Sequence, residues 1–414
     1  MRLLAVVGLT ILGTIPALSE SAIELIRMSS KPNDEFRAAL IASLGQEAIL
    51  KGTAYTGHGS EFLFAVEAAE KPTLMVDGEP AAEMRRVKGW NLWFATAQLA
   101  TGRSHSFHYQ IEGRIKGGDP DIPAYPPECY AESGAPQGTL SEKLAHTSKI
   151  YPGMTTEYWI YVPAGYDPGS PAAVMVWQDG QDHTDRDGPA KTLNVVDNFI
   201  HQKKLPVTVL VLVAPGKAGD RPMRAVQYGA VDDVYARFLR DEILPEVQAR
   251  YSIRTDAASR AIAGAGLGGL CAFNAAWQMP DQFSRVLSII GSFTSIGWES
   301  GAKEAGHVYP FKVRQEAVRN IRVWLQSGSG DLEDQHGSWP LQNIQLANSL
   351  KLKGYDFRLS FGNGGHSPAH GYAELPESLA WLWRDYDPAQ PRQIFTIDPE
   401  ERKAPLFRVR ISNR

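Results

Sequence analysis

Arg260-Ala261-Ile262-Ala263-Gly264-Ala265-Gly266-Leu267-Gly268-Gly269-Leu270-Cys271 passes from a short apolar run, through spaced glycines, into a segment rich in small residues that continues with Ala272, Ala275 and Ala276. A buried strand, a tight turn and a closely packed helix account for this order, because small side chains let the helix approach its strand. The alternation extends both ways. Upstream, residues 158–162 and 172–177 read as strands, and Val207 to Val213 is a nearly unbroken apolar run, as a strand covered on both faces should be. Residues 232–250 place Val234, Phe238, Leu239, Ile243 and Val247 at helical spacing. Downstream, residues 286–290, 321–325 and 357–361 read as strands, with helices at 341–352 and 374–385. Strands alternating with helices predict a doubly wound, mostly parallel α/β sheet over residues 150–390.

The rest of the chain differs. Residues 50–112 hold short aromatic and β-branched runs, such as Glu61 to Val66 and Ser106 to Ile111, punctuated by Asp77-Gly78. They predict a small antiparallel β-sandwich, Ig-like in outline. Residues 23–48 read as helical, 113–149 as a Gly- and Pro-rich linker, and 391–414 as a C-terminal tail. Met1-Arg2, an apolar run to Leu18 and the small residues Ala17 and Ser19 form a secretory signal over residues 1–19. Pro16 and the shortness of the run argue against an uncleaved anchor. The expected product is soluble, secreted or periplasmic, with no membrane contact after cleavage.

Composition narrows the function classes. Of 414 residues, 43% are hydrophobic and 21% charged, the balance of a globular chain. Its net charge of −4 supplies no basic excess for a nucleic-acid partner. Two cysteines, Cys129 and Cys271, rule out a disulfide scaffold and fit no zinc spacing; they are expected to stay unpaired, although one bridge is open to them.

In a doubly wound sheet, ligands bind beyond the carboxyl ends of the strands. Gly264-Ala265-Gly266-Leu267-Gly268 has the skeleton of the G-x-S-x-G nucleophile elbow, with Gly266 in the serine's place. A dinucleotide site fits poorly, since several strands precede this turn. Asp331 follows the strand at 321–325, and His366 sits in the loop Gly362-Asn363-Gly364-Gly365 after the next one. Nucleophile, acid, base is the α/β-hydrolase order. His366 and His370 are four apart, but the glycines and Pro368 argue against a helical zinc pair. No metal and no cofactor are expected. Ser292, after Gly291, is a weak candidate for a replacement nucleophile.

These segments resemble the enterochelin-esterase-like, or esterase-D and feruloyl-esterase-like, α/β-hydrolases. The resemblance spans residues 50–386. It is carried by Tyr158-Trp-Ile-Tyr-Val-Pro-Ala-Gly-Tyr-Asp-Pro, Val176-Trp-Gln-Asp-Gly180, Tyr235-Ala-Arg-Phe-Leu-Arg-Asp-Glu-Ile-Leu-Pro, Pro280-Asp-Gln-Phe-Ser, Gly364-Gly-His366 and Trp381-Leu-Trp-Arg-Asp-Tyr. It implies that Asp331 and His366 are the acid and base of a triad that cleaves carboxylic esters through an acyl-enzyme. It also implies a small-molecule ester, siderophore or sugar as ligand.

The chain departs from that pattern at its centre. Gly266 has no atom that can attack a carbonyl, and Leu267 replaces a frequent second serine. The loop Met223 to Gly229 is less polar than its counterparts. The backbone N–H of Leu267, with one near Gly180 or Gln181, is the expected oxyanion hole, and Arg224, Gln227 and Tyr228 are the expected pocket residues. The reading is a pseudoenzyme, impaired or inactive as a serine esterase and retaining ligand binding. The alternatives are a hydrolase in which His366 and Asp331 activate water directly, and a non-catalytic carbohydrate- or siderophore-binding interaction protein.

Overall fold

The computed structural model describes residues 21–407, so the expected signal over residues 1–19 lies outside the described residues. The chain divides into two units, one of residues up to 98 with 107–119, the other of 99–106 with 120 onward. Among the described residues no helix is long and apolar enough to cross a membrane.

The first unit opens with α1 (Ala22–Met28), α2 (Asp34–Leu44) and α3 (Gln46–Lys51), where one helical segment was expected. Ser21 and Asn33 start α1 and α2 by accepting the N–H of Glu24 and Phe36, and Gly45, at φ 81°, breaks α2 from α3. The strands over residues 54–124, of which 103–106 and 120–124 count with the second unit, are β1 (Ala54–His58), β2 (Glu61–Glu67), β3 (Thr73–Val76), β4 (Glu79–Ala82), β5 (Arg85–Arg86), β6 (Leu92–Gln98), β7 (Arg103–Ile111) and β8 (Arg114–Ala124). They form two four-stranded sheets, in the orders β1-β2-β6-β5 and β4-β3-β7-β8. Phe64 of one sheet and Phe107 of the other meet with ring centroids 4.9 Å apart. Leu25, Phe36 and Leu40 of the helices pack with Leu63, Ala65 and Phe94.

β8 corrects the expected linker at 113–149. A Cβ on Gly117 would fall 2.2 Å from the Gly52 oxygen, and one on Gly118 would fall 2.1 Å from the Phe107 oxygen. The glycines there report close backbone approach, to the end of α3 at Gly117 and to β7 at Gly118, rather than a loose connection.

The second unit carries β9 (Thr139–Leu140), β10 (Leu144–Thr147), β11 (Met154–Val162), β12 (Ala173–Gln178), α4 (Thr192–His201), β13 (Thr208–Val213), β14 (Lys217–Ala218) and β15 (Arg221–Pro222). Next come α5 (Arg224–Gly229), α6 (Val234–Phe238), α7 (Leu244–Gln248), β16 (Arg260–Ala265), α8 (Leu267–Gln278), β17 (Arg285–Ile289), α9 (Tyr309–Gln315) and β18 (Arg322–Gly328). A hairpin of β19 (Glu333–Asp334) and β20 (Gly337–Ser338) precedes α10 (Trp339–Lys353) and β21 (Asp356–Gly362). The chain then forms α11 (Ala369–Ala373), α12 (Leu375–Trp383) and α13 (Pro399–Lys403). The main sheet has the order β15-β14-β11-β13-β12-β16-β17-β18-β21. From β13 to β21 its neighbours are parallel, whereas β11 is antiparallel to β13.

Burial on both faces explains the apolar runs. Val174, Val176, Val209 and Val211 enter one core with Leu270 and Phe273 of α8. Ala173, Met175, Leu210 and Leu212 enter the other with Leu193 and Phe199 of α4 and Leu379 of α12. Cys271 belongs to the first core and Cys129 to the second, so the sheet separates the two thiols, and both are unpaired. The expected tail also packs: Phe395 and Ile397 are buried, and Arg285 donates to the Gln393 side chain at 2.8 Å.

Candidate active site

β16 ends at Ala265, and Gly266 turns the chain at φ 59° and ψ −122° before α8 begins at Leu267. A side chain at that φ is strained, by about 1–3 kcal/mol; glycine adopts it freely. Two hydrogen bonds pin the turn: the Gly266 N–H donates to the Ile289 oxygen, and the Gly266 oxygen accepts from the Ser292 N–H, each at 3.0 Å. A Cβ on Gly264 would lie 2.5 Å from the Gly268 carbonyl carbon and oxygen, so strand and helix touch there through bare backbone.

Asp331 and His366 converge on this turn from the loops after β18 and β21. The His366 Nδ1–H donates to Asp331 Oδ1 at 2.6 Å, and the same oxygen accepts the Leu332 N–H at 2.7 Å. The Asp331 carboxylate is fully covered, while the imidazole is a third exposed. In the neutral imidazole, Nδ1 donating to Asp331 leaves the lone pair on Nε2. A Cβ built on Gly266 would stand 3.9 Å from His366 Nε2 and 3.8 Å from Ser292 Oγ. Trp339 lies edge-on to the imidazole, its centroid 5.7 Å away, and its Nε1–H donates to Ser292 Oγ at 3.1 Å. Asp331, His366 and the bend therefore stand in register, with room for a side chain at Gly266 between them.

The site opens into a cleft of about 360 Å³, within the size range of small-ligand sites. Gly266, His366, Gln181 and Arg224 line it. Leu267 adjoins it as the first residue of α8, whose leading N–H groups have no intrahelical acceptor. Gly180 and Gln181 begin the 3₁₀ turn 180–183 after β12.

Gln227 and Tyr228, expected in the pocket, are buried behind it. Gln227 Oε1 accepts the Gly216 N–H at 2.7 Å, and the Tyr228 hydroxyl accepts the Asp179 N–H at 3.3 Å. The three residues share one face of α5, and Arg224, at its first turn, reaches the mouth. His370 packs on Gly362 instead of pairing with His366, and among the described residues no cluster of ligating side chains suits a metal ion.

Four residues of the cleft were not singled out from sequence. Asp179, in the left-handed region at φ 54°, receives both Arg224 Nε and Nη2 at 2.7 Å. Asp182 has its carboxyl pKa raised, first by burial and then by Asp179. His183 is fully enclosed; burial pushes its imidazole down to about 3, and its Nδ1 bonds Thr192 Oγ1 at 2.7 Å. The Tyr372 hydroxyl is raised by burial and then by the charges of Asp182 and Asp179. The available signal was Asp179-Gly180 placed directly after an apolar strand.

The Esterase family model matches residues 151–382. The chain is 24% identical over 265 residues to the uncharacterized protein YbbA of Bacillus subtilis (strain 168), covering 60% of this chain and 97% of that protein. It is 29% identical over 136 residues to the iron(III) enterobactin esterase of Escherichia coli (strain K12), 32% of each. Among solved structures, the enterobactin esterase of Shigella flexneri in the presence of 2,3-di-hydroxy-N-benzoyl-glycine superimposes with a TM-score of 0.53 at 17% identity, over 81% of this chain and 97% of that one. A ferulic acid esterase gives 0.50 at 17% identity, over 60% and 100%. The structural likenesses bear on the fold, an α/β-hydrolase scaffold.

Proposed function

The chain belongs to the Esterase family, and from that premise we propose that it is a secreted or periplasmic pseudoenzyme, an α/β-hydrolase whose ester site has lost its nucleophile and now binds a small ester, siderophore or sugar. On this reading the N-terminal unit is an Ig-like β-sandwich. The observation that carries the proposal is Gly266 at φ 59° and ψ −122° facing a bonded Asp331–His366 pair. In a serine protease, deleting the nucleophile costs about 10⁶ in kcat, or about 8 kcal/mol of barrier. What survives is the oxyanion site and binding, worth about 10³–10⁴ over water. The N–H of Leu267, with that of Gly180 or Gln181, would supply the oxyanion site, and the cleft would supply binding.

A second reading is favoured by the polar groups around the missing side chain. His366 Nε2 and Ser292 Oγ flank the position a Cβ would take, giving a water there two polar partners. His366 Nε2 would take a proton from that water as its oxygen attacks the ester carbon. The tetrahedral oxyanion would rest on the backbone N–H groups. Its collapse would expel the alcohol, which takes the proton back from His366, and no acyl-enzyme forms.

Fluorophosphonate labelling combined with aryl-ester turnover separates the two. The proposal expects neither labelling nor a burst. Slow turnover without labelling, abolished in His366→Ala, assigns the water mechanism instead. Labelling of the wild-type chain within the cleft would overturn both.

A further inference from the structure

Building on the reading that this cleft binds a small ester, we propose that its charge selects uncharged or cationic ligands and rejects anionic ones. Among the residues lining the cleft, Arg224 carries the fixed positive charge, and both of its bonded nitrogens are spent on Asp179. His183 adds none, since burial keeps its imidazole neutral. Asp182 must therefore share that one guanidinium with Asp179, so two carboxylates line the cleft against one fixed cation, and Asp331 lies behind His366 with one carboxylate oxygen, Oδ2, buried and unpartnered.

The positive end of α8 does not reverse this balance. Asp179 Oδ2 stands 3.1 Å from the position a Gly268 Cβ would take, so a carboxylate already faces the first turn of that helix. Burial and then Asp179 oppose ionisation of Asp182 by more than Arg224 and Gln181 favour it. An arriving cation relieves that opposition, and an arriving anion adds to it. Trp177, Ile289, Ile290 and Tyr372 supply the apolar wall against which an aryl or alkyl group would lie.

Three esters of matched shape test the rule: methyl 4-(trimethylammonio)benzoate, methyl 4-tert-butylbenzoate and methyl 4-sulfonatobenzoate. Binding to the wild-type protein is read by tryptophan fluorescence, and hydrolysis by Gly266→Ser as kcat/KM. The expected order is cation, neutral, anion, with cation and anion roughly tenfold apart at low salt and closer at high salt. Asp182→Asn should narrow the gap to roughly threefold. Equal or anion-favouring values in either readout, or a gap unmoved by Asp182→Asn, overturn the rule. Ordered turnover by Gly266→Ser without wild-type binding leaves the rule standing and refutes the ligand-binding reading. Silence in both readouts refutes both.

Discussion

Replacing Gly266 by serine adds two heavy atoms to a turn already bent to receive them. The new Cβ stands 3.9 Å from His366 Nε2, and the next bond places Oγ within about 2.6–3.2 Å of that nitrogen, the reach of a nucleophile–base hydrogen bond. His366 is already oriented by Asp331 at 2.6 Å, so no other group has to move. The backbone resists, because φ 59° with a side chain costs about 1–3 kcal/mol. At about 2–4 °C per kcal/mol for a domain of this size, the thermal midpoint should fall by several degrees. Aryl-ester turnover should rise by at least about 10³-fold, toward a ceiling near the ~10⁶ a serine is worth in a complete triad. A stopped-flow burst of alcohol release and stoichiometric fluorophosphonate labelling at position 266 would accompany it. A variant with unchanged circular dichroism that neither labels nor bursts would refute the reasoning, because the dyad and oxyanion site would then not be in working register.

Gly264→Ala should cost about 3 kcal/mol or more in urea denaturation, since its Cβ would stand 2.5 Å from the Gly268 backbone; a loss under about 0.5 kcal/mol would mean strand and helix can part. His183 titrates near 3 in the fold against 6.5 when exposed. The unfolded chain therefore takes up the proton first, and stability drains as pH falls from about 6.5 toward 4, at up to about 1.4 kcal/mol per pH unit from this group. His183→Phe should flatten that slope in urea midpoints measured across the range; an unchanged slope places the proton uptake elsewhere. Burial pushes the Cys129 thiol up to about 12 and raises Cys271 as well, so a disulfide reagent should modify neither in the native protein and both in denaturant.

The second unit was legible where burial imposes a pattern. Val207 to Val213 reads as a strand because alternate residues enter different cores, and β13 spans Thr208–Val213. The Gly264-x-Gly266-x-Gly268 spacing announced a bend because backbone contact and a left-handed φ both demand glycine. Asp331 and His366 were legible because the chain order places each after a parallel strand. Less visible were features set by depth rather than period. Arg224, Gln227 and Tyr228 sit on one helix face, and only their distance from the mouth decides which meets a ligand. Glycine at 117 and 118 carried the composition of a linker, because a crowded crossing and a flexible joint ask for the same residue. α4 was not read from sequence, since its eight buried residues include the polar Asn194, Asp197 and Asn198, which blur the apolar period.

The bend at Gly266 also bears on how such a chain can change. Where a serine holds an elbow, shape and reactivity are inherited together, because the side chain that reacts also bears the strain. Here glycine keeps the shape without side-chain strain, so the two are inherited separately. Glycine and serine codons can differ by a single nucleotide, and Asp331, His366 and the turn are already in place to receive the change. On the proposed reading, the lineage would carry a dormant catalyst at little expense to folding, one mutational step from selection on activity.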